Sequence, residues 1–562
     1  MGLAIVLVVP RLVRLFYPEV WIEDDFYLEN AYLVSVGMRP YLDFLHVHLP
    51  VLEWTAGLYV KLFGASLVSL EFLNQAAIYA TSLLVFGLAR RAADRPVAVA
   101  SAILYGFAAL VFRYHLYERE CFVAPLVVGA TILVVEESPS PGGRRTMAIT
   151  GLLALACAIK LTAAVSVIVL LGYLGVVRRQ MGKAIAIGGG VVAAIALLSA
   201  FCYWRYGFEF VFQTFLFHFM KGRDTRATVV LYPTLILDIL APLFVLGVIR
   251  LLGARLVRGA AGLVLALAVA QYFFFGLLSP TAWGHNYLEG LPFIAVIAGF
   301  GLLALYRAIR NLITAERAPR PDWIWAIGGG GLTLICLLMV TPLINENWLH
   351  DSVYGFGFVP REEISQIAAT VQRATAPTDA VVAPSFISFA ANRPQLIRYP
   401  ELYGAYREAK AVYQRYGFWI ARQRLGSVNF FSLISDTAHY WTDPITNAVA
   451  NRRVKVVVSD SPIQLLPLVL VQPELLANSG YRPNLHTQHY TVWQLEAPST
   501  RQGAANSRSA VNLWPPGNSK WSPDAASLAI LGRGLSRSSG PFRSANGLGP
   551  KRPSEDSAEP RL

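Results

Sequence analysis

Glu23-Asp24-Asp25-Phe26-Tyr27 follows the first apolar run, Met1 to Phe16, after six residues. Ionisable side chains are costly at membrane depth, so three adjacent acids directly behind an apolar segment mark a surface loop that carries chemistry. The same stretch continues through Gly37-Met38-Arg39-Pro40-Tyr41-Leu42-Asp43-Phe44 and His46-Val47-His48-Leu49-Pro50 to Lys61-Leu62-Phe63-Gly64. Pro40 and Pro50 interrupt helices, which predicts two short interfacial helices within a first external loop, 17–66. A plainer reading makes the three acids a helix start, favoured by the macrodipole of a helix over Phe26 to Val36.

The rest of the chain supports a setting in lipid. Of its 562 residues 55% are hydrophobic and only 15% charged, and the mean hydropathy is +0.47. Soluble domains run nearer a quarter charged, so this is an α-helical polytopic membrane protein. The formal charge of +13 lies in short clusters between apolar segments, as cytoplasmic loops require, and does not indicate nucleic acid. The four cysteines, Cys121, Cys157, Cys202 and Cys336, show no paired spacing and read as packing residues.

About eleven spans are predicted from segments able to cross roughly 30 Å of hydrocarbon. They are Met1 to Phe16, Leu67 to Leu88, Val97 to Phe112, Phe122 to Val135, Met147 to Ile159, Leu161 to Val177, Ala184 to Tyr203, Leu231 to Leu251, Ala261 to Leu278, Tyr287 to Tyr306 and Trp323 to Leu343. Met1 to Phe16 carries Arg11 and Arg14 and lacks a small-residue cleavage site, so it reads as a retained helix. Clusters at Arg90/Arg91/Arg95, Arg144/Arg145, Arg178/Arg179/Lys183, Arg250/Arg255/Arg258 and Arg307/Arg310/Arg317/Arg320 fall on one side if the spans alternate. The positive-inside rule makes that side cytoplasmic and turns the acidic loop outward from the inner (plasma) membrane. Between Arg145 and Arg178 both flanks belong inside, which predicts a tight hairpin with Lys160 at its outer tip.

Three regions follow: a transmembrane part over 1–349, an extracytoplasmic α/β domain over 350–497, and a tail over 498–562 whose composition predicts disorder. In the outer domain an amphipathic helix is expected from Arg361 to Arg373, with strands at Ala380 to Ala383, Val454 to Ser459 and Tyr490 to Leu495.

Taken together, the loop motifs resemble the first external loop of the GT-C glycosyltransferases, in particular the protein mannosyl and aminoarabinose branches. The resemblance implies a GT-C type membrane bundle that takes a sugar from a polyprenyl-phosphate carrier and passes it to a glycan, lipid or protein acceptor. It places a catalytic carboxylate among Glu23, Asp24 and Asp25. Alignment from Tyr27 and Ala31 selects Glu23 and Asp24, whereas the adjacent aspartates select Asp24 and Asp25, so Asp24 is common to both. A single displacement by an acceptor so activated would invert the anomeric carbon.

Glycosyl transfer also needs cations or donors for the departing phosphate. Lys160 interrupts an apolar run and resembles the family's phosphate-facing lysine, against the plainer reading of a snorkelling side chain. Arg119, Glu118 and Glu120 crowd the second outward loop, where the family often holds a second acid. Lys221 and Arg223 lie in a long outward loop over 205–226, and His285 and Tyr287 precede Leu291-Pro292; all could meet the carrier phosphate. His48, in a His-Leu-Pro where the family has His-Pro-Pro, could donate a hydrogen bond or join a divalent metal. Without a Gly-rich phosphate loop, nucleotide-sugar use is not indicated. The rival is a transporter or flippase, which would show paired halves and charges near mid-depth.

Overall fold

The structure is a computed structural model. It describes residues 3, 7, 8, 11 and 12 and most of 19–496; residues 13–18, 22–25, 112–116, 118, 137–142, 223–231, 254–258, 280–283, 315–357, 398–399, 461–470 and 497–562 lie outside the described residues. The span expected at Trp323 to Leu343, the tail, and the acids Glu23, Asp24 and Asp25 are therefore not described.

After a short strand β1 (Glu19–Trp21) come α1 (Phe26–Ser35) and α2 (Val51–Phe63), the two short helices expected of the first loop. The bundle follows as α3 (Leu67–Ala92), α4 (Arg95–Val111), α5 (Arg119–Val135), α6 (Gly143–Ile159), α7 (Ala164–Gly172), α8 (Met181–Tyr206), α9 (Phe208–Val211), α10 (Phe217–Met220), α11 (Tyr232–Gly253), α12 (Ala260–Phe273) and α13 (Leu291–Thr314). Each of the nine spans expected between 67 and 306 coincides with helix. By length and composition four described helices can cross a membrane, Leu67–Ala92, Met181–Tyr206, Ala260–Leu278 and Leu291–Arg310. The helix expected from Tyr287 starts at Leu291 instead, behind a tight 3-10 segment, Gly284–Glu289. Where α11 crosses α13, glycine lets the backbones touch: a Cβ at Gly301 would stand 2.8 Å from Gly247 N, the small-residue contact on which helix pairs in lipid rely.

The two ends of the bundle differ chemically. At the carboxy end of α5, Glu136 pairs with Arg91 and Arg145, and Arg178 donates to Val135 O at 2.9 Å. Arg307 likewise meets Asp94 at 3.0 Å. Arg145 and Arg178 thus return to one end of α5 while Lys160, between them, meets Glu120 at the other. That is the predicted hairpin. From Arg119 to Glu136 the helix rise gives about 25 Å, close to the hydrocarbon thickness.

The segment over 205–226, expected as a loop, is helical as far as Met220, with a wider π turn at Phe212–Leu216 between α9 and α10. Its aromatic side chains explain the difference: Phe212 and Phe217 are fully buried against Leu45, Val47 and Tyr406, and that burial outweighs the weak helix propensity of Phe.

The outer domain begins with β2 (Phe358–Pro360), which pairs antiparallel with β1 in the register Glu19 to Pro360 and Trp21 to Phe358. It continues with α14 (Arg361–Ala374), as the amphipathic pattern predicts, then α15 (Ser385–Ala391), α16 (Pro400–Gly426), α17 (Phe430–Asp436), α18 (His439–Ala450), β3 (Val456–Asp460), α19 (Pro473–Asn478), β4 (Tyr481–His486) and β5 (Tyr490–Leu495). The antiparallel sheet has the order β3-β5-β4. Ala380 to Ala383 is not a strand: Val381 and Val382 make only single bridges, to Gln395 and Val457. The β1–β2 pair, closed across more than 300 residues, has no local signature in either segment.

Candidate active site

The end of the bundle opposite the Arg91, Arg145 and Arg178 cluster is where the first loop, the hairpin tip and the outer domain meet. Glu29 of α1, 2% exposed, accepts from Ser385 Oγ and from Gln395 N, both at 3.3 Å. Tyr32 donates to Asn392 O at 3.1 Å. Glu19–Trp21 is thus held in the strand pair and α1 is seated on α15.

Lys160 is not a snorkelling side chain. It sits in extended backbone between Ile159 and a short 3-10 turn, is 7% exposed, and is ringed by polar groups. Its ammonium pairs with Glu120, donates to Asn286 Oδ1 at 2.5 Å, and lies 3.4 Å from Glu289 Oε1 and 5.6 Å above the Phe275 ring. Phe275 is brought there by a π turn at Phe274–Leu278, a device that re-aims side chains within a helix. Thr162 donates to Glu289 Oε1 at 2.5 Å. Tyr287, 2% exposed, packs on Phe275 and Tyr272 with ring centroids 5.7 and 5.6 Å away.

A second buried pair stands beside it. Arg119, 0% exposed, pairs with Glu53 of α2 and donates to Ile159 O at 3.2 Å. Its guanidinium lies 4.7 Å from the centroid of the Tyr27 ring. Glu53 also lies 3.2 Å from His46 Nε2, and Tyr27 OH is 3.5 Å from His48 Nε2.

The histidine loop is held by the π turn of 212–216: His46 N donates to Gln213 Oε1 and Gln213 Nε2 to Tyr41 O, both at 2.9 Å. Tyr41 adopts φ 68 and donates to His48 O at 2.5 Å. A buried aromatic residue in the left-handed region is uncommon and survives only where its surroundings over-determine it.

Three cations converge on this loop. Burial first, and then the charge of Arg119, hold His48 well below its ordinary value and hence neutral. His218, 5.7 Å from His48 ring to ring, is held down to about 3 by burial and by Lys221. Burial and the charge of Lys160 push Lys221 down to about 8. Burial is the largest cause at His48, His218 and Lys221 alike, and a neighbouring cation adds to it at each.

Of the residues proposed from sequence, Lys160, Arg119, Glu120, His48, Lys221 and Tyr287 belong to this one region. Glu118, Arg223 and the side chain of His285 lie outside the described residues. Glu53 and Glu289 carry no motif that marks them in the sequence; each is a lone acid in a largely apolar segment, the kind of interruption that singles out Lys160. No group of three His, Cys, Asp or Glu able to hold a metal occurs among the described residues, and His46 and His48 turn to different partners.

Glu289 yields a prediction. Burial, the largest cause, raises its carboxyl from 4.5 to about 7. A group whose folded value is raised adds stability that is complete at acid pH and is lost as pH climbs through the folded value. Thermal stability in detergent is expected to decline between about pH 4.5 and 7 through this group. In Glu289→Gln that component of the slope should vanish; an unchanged slope in the variant would refute it.

A helical bundle with basic residues gathered at one end, and a buried lysine, arginine and acid cluster under an α/β domain at the other, has the GT-C membrane glycosyltransferase fold. Residues 47–204, which include His48, Glu53, Arg119, Glu120 and Lys160, match the family described as dolichyl-phosphate-mannose-protein mannosyltransferase. The chain is similar in structure to ArnT from Cupriavidus metallidurans bound to undecaprenyl phosphate, with a TM-score of 0.53 and 13% identity over 88% of this chain and 98% of that one. For the apo state of the same protein the TM-score is 0.52 and the identity 14%, over 88% and 97%. The Archaeoglobus fulgidus oligosaccharyltransferase aligns with a TM-score of 0.47 and 14% identity over 82% and 69%. No curated protein sequence matches the chain.

Proposed function

We propose that the protein transfers a sugar from a polyprenyl-phosphate-linked donor to a glycan, lipid or protein acceptor at the outer face of the membrane. The observation that carries this reading is the buried Lys160 at the hairpin tip, at the end of the bundle opposite the basic clusters. Donor phosphate would bind among Lys160, Arg119 and Lys221, with the isoprenoid chain in lipid beside the bundle. Glu53, Glu120 and Glu289 hold the first two cations in place. Asp24, with Glu23 or Asp25 beside it, would accept the acceptor's proton as its nucleophilic atom attacks the anomeric carbon in line with the leaving phosphate. One displacement inverts that centre. The matched mannosyltransferase family and the fold support this donor class. The gathering of these charges at the ends of the bundle, rather than at mid-depth, speaks against the transporter reading.

The test is chemical. Purified protein in detergent, given a polyprenyl-phosphate-linked sugar and an extract of cell-envelope acceptors, is expected to release polyprenyl phosphate in proportion to sugar transferred. Movement of the intact donor across a vesicle membrane with no release would favour the transporter.

A further inference from the structure

The long helix α16 is broken at Gly417, whose φ of 76 is open to glycine at little cost. Its first arm is zipped to the segment behind α8. Lys410 pairs with Glu209, Tyr406 donates to Glu209 Oε2 at 2.6 Å, and the rings of Phe208 and Tyr413 stack at 5.8 Å. The second arm, 418–426, is tied at its far end to the turn after α10, where a Cβ on Gly222 would stand 3.0 Å from Leu425 O.

That second arm has one packed face and one bare one. Ala421 and Leu425 are buried, whereas Trp419 is 73% and Ile420 44% exposed. At 100° per residue Trp419 and Ile420 point outward, and the exposed Arg422 and Arg424 flank them on either side. Arg424 and Arg415 lie 4.0 and 5.1 Å from the Tyr416 ring centroid, which keeps both guanidinium groups at this surface. The depth of the arm is marked by its neighbours. Span α8 ends in Tyr203 and Trp204, 55% and 78% exposed, and α10 leaves Phe219 61% exposed. Exposed Trp and Tyr at a span's end mark the headgroup level.

We propose that the arm over 418–426 is an interfacial anchor that seats the outer domain on an anionic lipid leaflet. Trp419 and Ile420 dip below the headgroups and Arg415, Arg422 and Arg424 meet lipid phosphates. Apolar side chains rimmed by arginine are what such a surface takes up. The anchor would hold the outer domain, and with it Glu29 and α1, at a constant height over the bundle.

The test uses the whole chain in nanodiscs, its four cysteines replaced by serine or alanine and its donor turnover retained. A bimane label is placed at Gln423→Cys or, as a reference on the sheet, at Arg482→Cys, and quenching by a lipid spin-labelled near its headgroup is read. In phosphatidylglycerol discs quenching at 423 is expected to exceed that at 482 by at least about threefold, as for a helix lying in the interface. It should fall toward the reference in Trp419→Ser/Ile420→Ser, and also in phosphatidylcholine discs. Equal quenching at the two sites would overturn the anchor, and equal quenching at 423 in the two lipids would overturn its preference for anionic headgroups.

Discussion

Lys160→Met should lower sugar transfer by about 10²–10³-fold, the loss typical of removing one preorganised donor from a developing oxyanion. The reasoning rests on where Lys160 is, not only on what it is. In water an ammonium is a weak partner for phosphate, but a 7% exposed one at the edge of a low-dielectric bundle interacts far more strongly. Its three polar partners, Glu120, Asn286 and Glu289, hold it in place, so little reorganisation accompanies the departure of the phosphate. Methionine keeps the length and the contact with Phe275 while deleting the charge. Release of polyprenyl phosphate under saturating donor reads the effect, and Lys160→Arg should restore part of it. Full activity in the methionine variant would show that the phosphate binds elsewhere.

The second large effect concerns folding. Arg119→Ala strips Glu53, a carboxylate 1% exposed, of its guanidinium partner, and leaves it facing a His46 that burial holds neutral. Removing one member of a buried pair typically costs about 3–5 kcal/mol, because the other is left charged and unsolvated. Arg119→Met/Glu53→Met, which removes both, is expected to regain most of the thermal stability and none of the transfer. If the single and double variants melt alike, the pair is not the coupled unit that the geometry implies.

Much of this is legible in the amino-acid sequence alone. The nine central spans and the hairpin at Lys160 follow from hydropathy and from the flanking arginines, because lipid leaves a chain few alternatives. Helix α14 is plain in the spacing of Ile364, Ile367 and Val371. What stays hidden is long-range. Nothing near Glu19 or Phe358 announces that they pair, and the aromatic run from Phe208 to Met220 reads as loop until Tyr406 and Tyr413 are seen to cover it. Glu53 and Glu289 escape because a lone acid in an apolar segment shows its partner only in three dimensions. Lys160 is found by the same rule because its hairpin position gives it a role at once.

On the proposed mechanism the acidic trio supplies the base. Asp24→Asn, Asp25→Asn and Glu23→Gln, singly and together, should be assayed for sugar transfer alongside binding of polyprenyl phosphate. At least one single variant, with Asp24 the first choice, is expected to lose about 10²-fold or more of its transfer, as removal of a general base does, while carrier binding is unchanged. Transfer at the full rate in every variant, the triple included, would contradict the account.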